Sequence, residues 1–382
     1  MESTITVVQK QFLELLRAGL WGGCPDVTLF QGEVKWKAIF KIAREQAVQV
    51  LVADGLEALP EHLAPKKETI YKIAIRRTTN SLAYKVQKSL INRITTLFNE
   101  EGIPSILLKG QGVAQNYQKP ESRMCGDIDI YVGMDNFHKA CEILRREGAE
   151  ELIHQDEDEQ EFHIAFDLDD KTIEVHKKSD VIHGRKLNDS LQKWITNHLD
   201  AKLADGTLPK WNNDGTLINI PDPTVNAFYI IHHAVRHMLG EGIGLRHVCD
   251  WMIFLHTHQD QIDKEELKAK LAEYKMATAW GQFGALATKY LGFPEEHLLV
   301  PPINQNESKP ELLLQHIFST GNFGQYSKEK RDSKSRYLKR KWHNFRFQMS
   351  RLFKLYRILP DYTLNFGCGW LTNAIYRFFR NK

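Results

Sequence analysis

At residues 126–132 the chain reads GDIDIYV, in which Asp127 and Asp129 alternate with Ile128 and Ile130. A period of two is typical of a β-strand, because successive side chains of a strand point to opposite faces. The pattern predicts a strand whose isoleucines face a core and whose two carboxylates share the other face. Two such carboxylates repel each other and lose hydration, and a bound divalent cation is a common reason for keeping them together. The alternative for an Asp-x-Asp pair is plain surface and turn chemistry.

Residues 162–176 have the pattern of a β-hairpin, FHIAFDL followed by DD and KTIEVH. Asp169 and Asp170 are the expected turn. In the second strand Glu174 stands between two aliphatic residues, so Glu174 and His176 share the face opposite to them. Glu174 is the candidate for a third carboxylate, since two-metal catalysis uses carboxylates that bridge neighbouring strands. Its alternative role is that of a solvent-facing strand residue.

The rest of the chain has mainly helical patterns. Apolar residues recur at helical spacing over 67–99 without an interrupting Pro or Gly, and a short strand ending at Gly110 follows. The acidic run 147–161 is expected to be a solvated loop. Four further helices are predicted at 222–239, 244–257, 263–275 and 278–291.

These patterns predict an α+β protein in which a small mixed β-sheet is flanked by helical N- and C-terminal regions. The expected division is a helical N-terminal region at 1–100, an α/β domain at 101–220 and a helical C-terminal region at 221–382. A length of 382 residues suits two or three domains.

Composition excludes several classes of protein. The formal net charge is only +3, so the whole molecule does not attract nucleic acid or membrane strongly. The five cysteines are scattered and include no C-x-x-C pair, which argues against a disulfide framework or a structural zinc site. We find neither a secretion signal at the N-terminus nor an apolar run of roughly 18 residues. The expected location is the cytoplasm, with no transmembrane segment.

Two segments together carry a family resemblance: LLKGQGVAQNYQKPESRMCGDIDIYV at 107–132 and TIEVHKK at 172–178. They resemble an uncharacterised bacterial nucleotidyltransferase family of the polymerase-beta-like superfamily. The pattern is a strand ending in Lys-Gly, a helix, an Arg shortly before Asp-x-Asp, and a later strand with Glu-x-His. The stretches FYIIHHAVRH at 228–237 and GLRHVCDW at 244–251 also look familiar, so the resemblance covers about residues 100–260.

The resemblance implies an enzyme that moves a nucleoside monophosphate from an NTP to an acceptor hydroxyl or phosphate and releases pyrophosphate. Magnesium (or manganese) would be held by three catalytic carboxylates, and the acceptor would be a small molecule, a sugar or a protein. The implied metal ligands are Asp127, Asp129 and Glu174. The implied nucleotide-binding residues are Lys109, Gly110, Gln111, Arg123 and His176.

One departure from the superfamily pattern leaves an alternative open. In the phosphate-binding turn Gln111 stands where the superfamily has a small residue, and Lys109 is the candidate that supplies positive charge instead. Arg123 has two candidate roles, a bidentate phosphate clamp or an ion pair to the aspartates. The alternative function is a degenerate member of the family that senses nucleotide without turnover.

Two further features of the chain each have a simple structural explanation. His233 and His237 are one helical turn apart, a spacing that zinc sites use, but histidines of the core or of a substrate surface are the favoured interpretation. The tail 328–357 holds twelve Lys or Arg and two acidic residues, with apolar residues at helical spacing. An amphipathic helix docked on its own protein is favoured for this tail over contact with RNA or lipid.

Overall fold

The computed structural model describes residues 5–152, 162–301, 309–326 and 337–380. Within them it contains a mixed sheet of seven strands and fourteen α-helices. The predicted α+β class is confirmed. None of the described helices combines the length and the apolar character needed to cross a lipid bilayer.

The elements follow one another in three groups. The first helices are α1 (Val7–Trp21), α2 (Trp36–Glu45), α3 (Gln49–Glu57) and α4 (Lys67–Glu100). The strands and the helices among them are β1 (Ile106–Leu107), α5 (Gln111–Ala114), β2 (Ile128–Tyr131), α6 (Gly133–Arg146), β3 (Glu150–Leu152), β4 (His163–Leu168), β5 (Lys171–His176), α7 (Arg185–Ala204), β6 (Lys210–Asn213) and β7 (Thr216–Asn219). The last helices are α8 (Pro223–Gly240), α9 (Leu245–His258), α10 (Lys264–Glu273), α11 (Ala277–Leu291), α12 (Pro310–Thr320), α13 (Tyr337–Tyr356) and α14 (Pro360–Arg380).

The chain forms two compact units. The helical unit comprises Met1–Tyr71 and Ile230–Lys382, and the sheet unit comprises Lys72–Tyr229. In the helical unit α1 and α3 cross at two glycines: a Cβ atom on Gly19 would lie 1.8 Å from the carbonyl oxygen of Leu51, and one on Gly55 would lie 1.9 Å from that of Leu15. Only glycine allows backbones to approach so closely.

The tail helix α13 packs within the helical unit. Leu352 and Leu355 are buried, and the side chains of Gln348 and Arg351 donate hydrogen bonds to backbone carbonyls near the end of α8. On the opposite side Trp342 and other apolar residues are exposed. The predicted amphipathic helix is confirmed over Tyr337–Tyr356, while residues 328–336 lie outside the described part of the chain.

The sheet of the second unit has the strand order β3-β4-β5-β2-β1-β7-β6. The pairs β2–β5 and β1–β7 are parallel, and the others are antiparallel. The predicted hairpin is confirmed, with Asp169 and Asp170 at φ values of 55° and 58°. Two successive residues with positive φ give a turn whose twist matches that of the strands.

One face of the sheet is apolar and packs against α4 and α6. Ile128 and Ile130 point to this core, as their alternation predicts. Each fully buried aliphatic or aromatic side chain stabilises the fold by about 1.5–3 kcal/mol. The core also includes Leu90, Ile94, Phe98, Phe137, Cys141, Leu144, Phe166, Ile173 and Val175.

The prediction of a loop over the whole acidic run 147–161 was wrong at 150–152. Residues Glu150–Leu152 form the edge strand β3, which pairs with β4 and has all three side chains exposed. An edge strand is held by hydrogen bonds between backbones and can carry charged side chains. The acidic composition of a segment therefore does not exclude such a strand. Residues 153–161 lie outside the described part.

Candidate active site

The two central carboxylates lie side by side on parallel strands. The register of β2 and β5 pairs Asp129 with Glu174, and the aliphatic neighbours of both residues point into the core. The carboxylates therefore share the opposite face of the sheet. Asp129 is almost completely buried, while the Glu174 side chain remains 16% exposed. Two negative charges so placed need positive charge nearby.

Lys109 supplies one of these positive charges. It follows β1, which runs antiparallel to β2, and the N–H of Leu108 donates to the carbonyl of Asp129 at 3.0 Å. This pairing brings Lys109 Nζ to 3.0 Å from Asp129 Oδ1. Burial opposes the ammonium charge, but the carboxylates, Asp129 foremost, outweigh burial and raise the pKa of Lys109. Lys109 therefore stays charged.

His176 supplies the second positive charge. Its Nε2 lies 3.1 Å from Asp129 Oδ1 and 3.3 Å from Glu174 Oε2, so the imidazole links both carboxylates. Burial disfavours the imidazolium, yet the hydrogen bonds to the two carboxylates raise the pKa of His176 above its usual value. Burial likewise opposes the charge of Glu174, but the hydrogen bond from His176 and the charge of Lys109 hold the pKa of Glu174 below its usual range.

His163 is a member of this cluster that the sequence interpretation missed. It lies on β4 directly opposite His176, with ring centroids 4.9 Å apart, and its Nε2 is 3.9 Å from Glu174 Oε1. Both imidazoles are buried. The signal was present in the sequence, because a two-residue turn at Asp169-Asp170 fixes the hairpin register and so pairs residue 163 with residue 176.

Asp127 lies at the edge of the cluster. The strand β2 begins at Ile128, one residue later than predicted, and Asp127 is exposed. Its charge still contributes to raising the pKa of Lys109. The difference between the two aspartates was not predicted, since the alternation treats them alike.

The predicted phosphate turn is built differently from a simple small-residue loop. Gly110 has a φ of 62°, and the N–H of Gly112 donates to the carbonyl of Lys109. The Gln111 side chain is buried, and its Nε2 donates to Gln87 Oε1 at 2.7 Å. Gln111 thus joins α5 to α4 through a buried polar contact.

Arg123 is itself buried and lies in the segment that leads into β2. Its Nη1 donates to the carbonyl of Met124 at 3.3 Å, and its own carbonyl accepts from the Asn80 side chain at 3.2 Å. These contacts fix the segment against α4. The structure thus brings together four of the predicted residues through direct contacts: Lys109, Asp129, Glu174 and His176. The contacts described for Arg123 and Gln111 are instead with Met124, Asn80 and Gln87.

The cluster has the donor atoms of a metal site. Among the described residues, the group with suitably close ligand atoms is His163, Glu174 and His176, whose candidate atoms all lie within 4.8 Å of one another. The carboxylate of Asp129 adjoins this group through His176. Carboxylate oxygens and imidazole nitrogens are both ligand types that divalent cations take in proteins, so this donor set fits such an ion. In the helical unit, by contrast, His233 is buried and its ring centroid lies 4.3 Å from that of His237, and the metal-ligand group found among the described residues contains neither of them.

The comparison with known families identifies the chain. The model of a family described as an uncharacterised nucleotidyltransferase matches residues 32–292. The chain belongs to this family. The matched part of this nucleotidyltransferase family member includes the whole sheet unit and the residues of the carboxylate cluster. No curated protein and no solved structure is significantly similar to the chain.

Proposed function

We propose that this family member is an active, metal-dependent nucleotidyltransferase. The observation that carries the proposal is the aligned pair Asp129 and Glu174 on parallel strands, neutralised by Lys109 and His176. A purely structural role would not require four charged groups on one face, since burying an ion-pair network is rarely the most stable arrangement.

In the proposed reaction an acceptor oxygen attacks the α-phosphorus of an NTP. The new acceptor O–P bond forms as the bond between the α-phosphorus and the bridging oxygen breaks, and pyrophosphate leaves. A hydroxyl acceptor releases its proton to solvent water in the same reaction, and the pyrophosphate carries the electron pair of the broken bond. Bound divalent metal would supply Lewis-acid stabilisation of the phosphate charge. Mg²⁺ or Mn²⁺ with an NTP as substrate is the proposed requirement.

The roles of the residues follow from their positions. Asp129 and Glu174 would hold the metal, with the exposed Asp127 as the third carboxylate on the solvent side. Lys109 would turn from Asp129 to the phosphates of the NTP once metal charge replaces its own, because it is partly exposed and stays protonated. His176 would keep the two carboxylates oriented. Positioning and electrostatics would then provide most of the rate enhancement.

A nucleotide sensor without turnover is the second candidate. It is favoured by one observation, the engagement of Gln111 with Gln87 in the turn where a phosphate contact was expected. The N–H of Gly112 in the same turn is likewise used within the protein. A turn of this kind would bind phosphate with fewer donors.

Pyrophosphate release with each of the four NTPs tests the proposal. The assay contains Mg²⁺ or Mn²⁺ and no added acceptor, so that water takes the acceptor's place. It compares wild type with Asp129→Asn and Glu174→Gln. The matched control is Asp170→Asn, which removes a carboxylate from the same hairpin at a turn position where Asn tolerates the positive φ. Release that both site variants lose and the control keeps supports the enzyme. NTP binding without release in wild type supports the sensor.

A further inference from the structure

The donor set around Glu174 contains more nitrogen than a magnesium site uses. His163 and His176 are direct cross-strand partners, and their Nε2 atoms lie 3.9 and 3.3 Å from the two oxygens of Glu174. Ala165, the cross-strand partner of Glu174, is buried and carries a side chain that cannot bind a metal ion. The two imidazoles thus flank one carboxylate on a buried part of the sheet.

The separations between these atoms suit a shared metal ion. An ion bound at about 2.1 Å from each ligand places adjacent ligand atoms roughly 3.0 Å apart in an octahedron and roughly 3.4 Å apart in a tetrahedron. The observed values are 3.1 Å for His176 to Asp129, 3.3 Å for His176 to Glu174 and 3.9 Å for His163 to Glu174. All candidate ligand atoms of His163, Glu174 and His176 lie within 4.8 Å of one another. A metal-bound imidazole is neutral, so metal binding would release to solvent the proton that His176 shares with the carboxylates.

The ligand types discriminate among metals. Mg²⁺ takes oxygen ligands and keeps several waters, whereas imidazole suits first-row transition metals such as Zn²⁺. The imidazole nitrogens of two buried histidines would add little to the binding affinity for Mg²⁺. The same donors would hold Zn²⁺ more tightly, because affinity for nitrogen ligands rises along the first transition row.

We infer that His163, His176 and Glu174 form a binding site for a transition metal of the Zn²⁺ class, with His163 as a ligand. This site lies beside the Mg²⁺ site under "Proposed function" and shares Glu174 with it, so the inference rests on that proposal only through this residue. Its test needs no nucleotide, so each of the two proposals fails or holds separately.

Calorimetry on the metal-free chain of 382 residues tests the site with Zn²⁺ alone and with Mg²⁺ alone. The expected wild-type result is one Zn²⁺ bound roughly tenfold or more tighter than Mg²⁺. His163→Ala should weaken Zn²⁺ binding by about 10–100-fold. It should leave the Mg²⁺ affinity within about threefold of wild type, because oxygen ligands dominate Mg²⁺ binding.

The matched control is His297→Ala. His297 and His256 contact each other through their Nδ1 atoms at 2.8 Å in the helical unit, in a pair of histidines that the metal-ligand group does not include. The control removes an imidazole that could bind Zn²⁺ adventitiously, and it should keep the tight site. Loss of tight binding in His297→Ala, with retention in His163→Ala, would overturn the inference.

A measurement on wild type keeps the test independent of how the variants fold. With ¹⁵N-labelled histidine, one equivalent of Zn²⁺ should shift the ring-nitrogen NMR signals of His163 and His176, which are assigned in wild type through their cross-strand contacts. Shifts confined to other histidines would overturn the inference. Pyrophosphate release supported by Mg²⁺, together with no Zn²⁺-induced shift at His163, would refute the metal class and leave the transferase intact.

Discussion

Replacing Lys109 by Met tests the electrostatic balance of the site. The substitution keeps the length of the side chain but removes the ammonium that lies 3.0 Å from Asp129. Removing one partner of a fully buried ion pair costs about 3–5 kcal/mol of folding free energy. Lys109 is one-fifth exposed, and His176 still contacts both carboxylates, so we expect a smaller loss of about 2–3 kcal/mol.

The assay is urea unfolding, followed by tryptophan fluorescence and circular dichroism in metal-free buffer. The double variant Lys109→Met/Asp129→Asn should recover about half of the loss or more, because no carboxylate is then left without its partner. Adding Zn²⁺ or Mn²⁺ should stabilise Lys109→Met more than wild type, since the ion no longer competes with the ammonium. A Lys109→Met protein within ~0.5 kcal/mol of wild type would refute the argument.

Three further predictions concern catalysis, packing and pH. Asp129→Asn should lower the rate of pyrophosphate release by roughly a hundredfold or more. Asp127→Asn should have a smaller effect, because Asp127 lies at the exposed edge of the cluster. Equal losses of rate in steady-state assays of the two variants would contradict this difference. Gly19→Ala should destabilise the protein by about 3 kcal/mol in urea unfolding, because the added Cβ would lie 1.8 Å from a backbone oxygen. The control Gly240→Ala should be neutral or stabilising by up to ~1 kcal/mol, because the space around its added Cβ is open. Burial, with Arg351 and Lys354 nearby, lowers the pKa of His316 to about 4, so its neutral form contributes stability that is present above about pH 6.5 and lost as the pH falls towards 4. The wild type should therefore lose up to about 3 kcal/mol more than His316→Asn between pH 7 and 4, and identical pH profiles of unfolding would contradict this.

Local patterns predicted those parts of the fold whose cause is local. The alternation at Ile128 and Ile130 identifies the core face of β2, and the Asp169-Asp170 pair identifies the hairpin turn. The uninterrupted apolar periodicity over 67–99 predicts one long helix, and the structure confirms it as Lys67–Glu100. Such features depend on side chains that are neighbours in the sequence.

The remaining features of the site depend on contacts between distant segments. Nothing in the local pattern around Lys109 indicates that its ammonium lies against Asp129, since this contact arises from the antiparallel pairing of β1 and β2. The parallel register that aligns Asp129 with Glu174 is likewise a property of the whole sheet. The engagement of Gln111 by Gln87 depends on where α4 passes, which its periodicity does not reveal.

The position of Lys109 has a consequence for the order in which the chain assembles. Lys109 and Asp129 come from strands that are close in sequence, whereas Glu174 and His176 belong to β5, which is made later. Contacts between nearby segments close smaller loops and form more readily than those between distant ones. On a ribosome the ammonium of Lys109 is thus available to Asp129 before its later partners emerge. Pairing of β1 with β2 therefore requires only a short loop to close before the ammonium can offset the charge of Asp129.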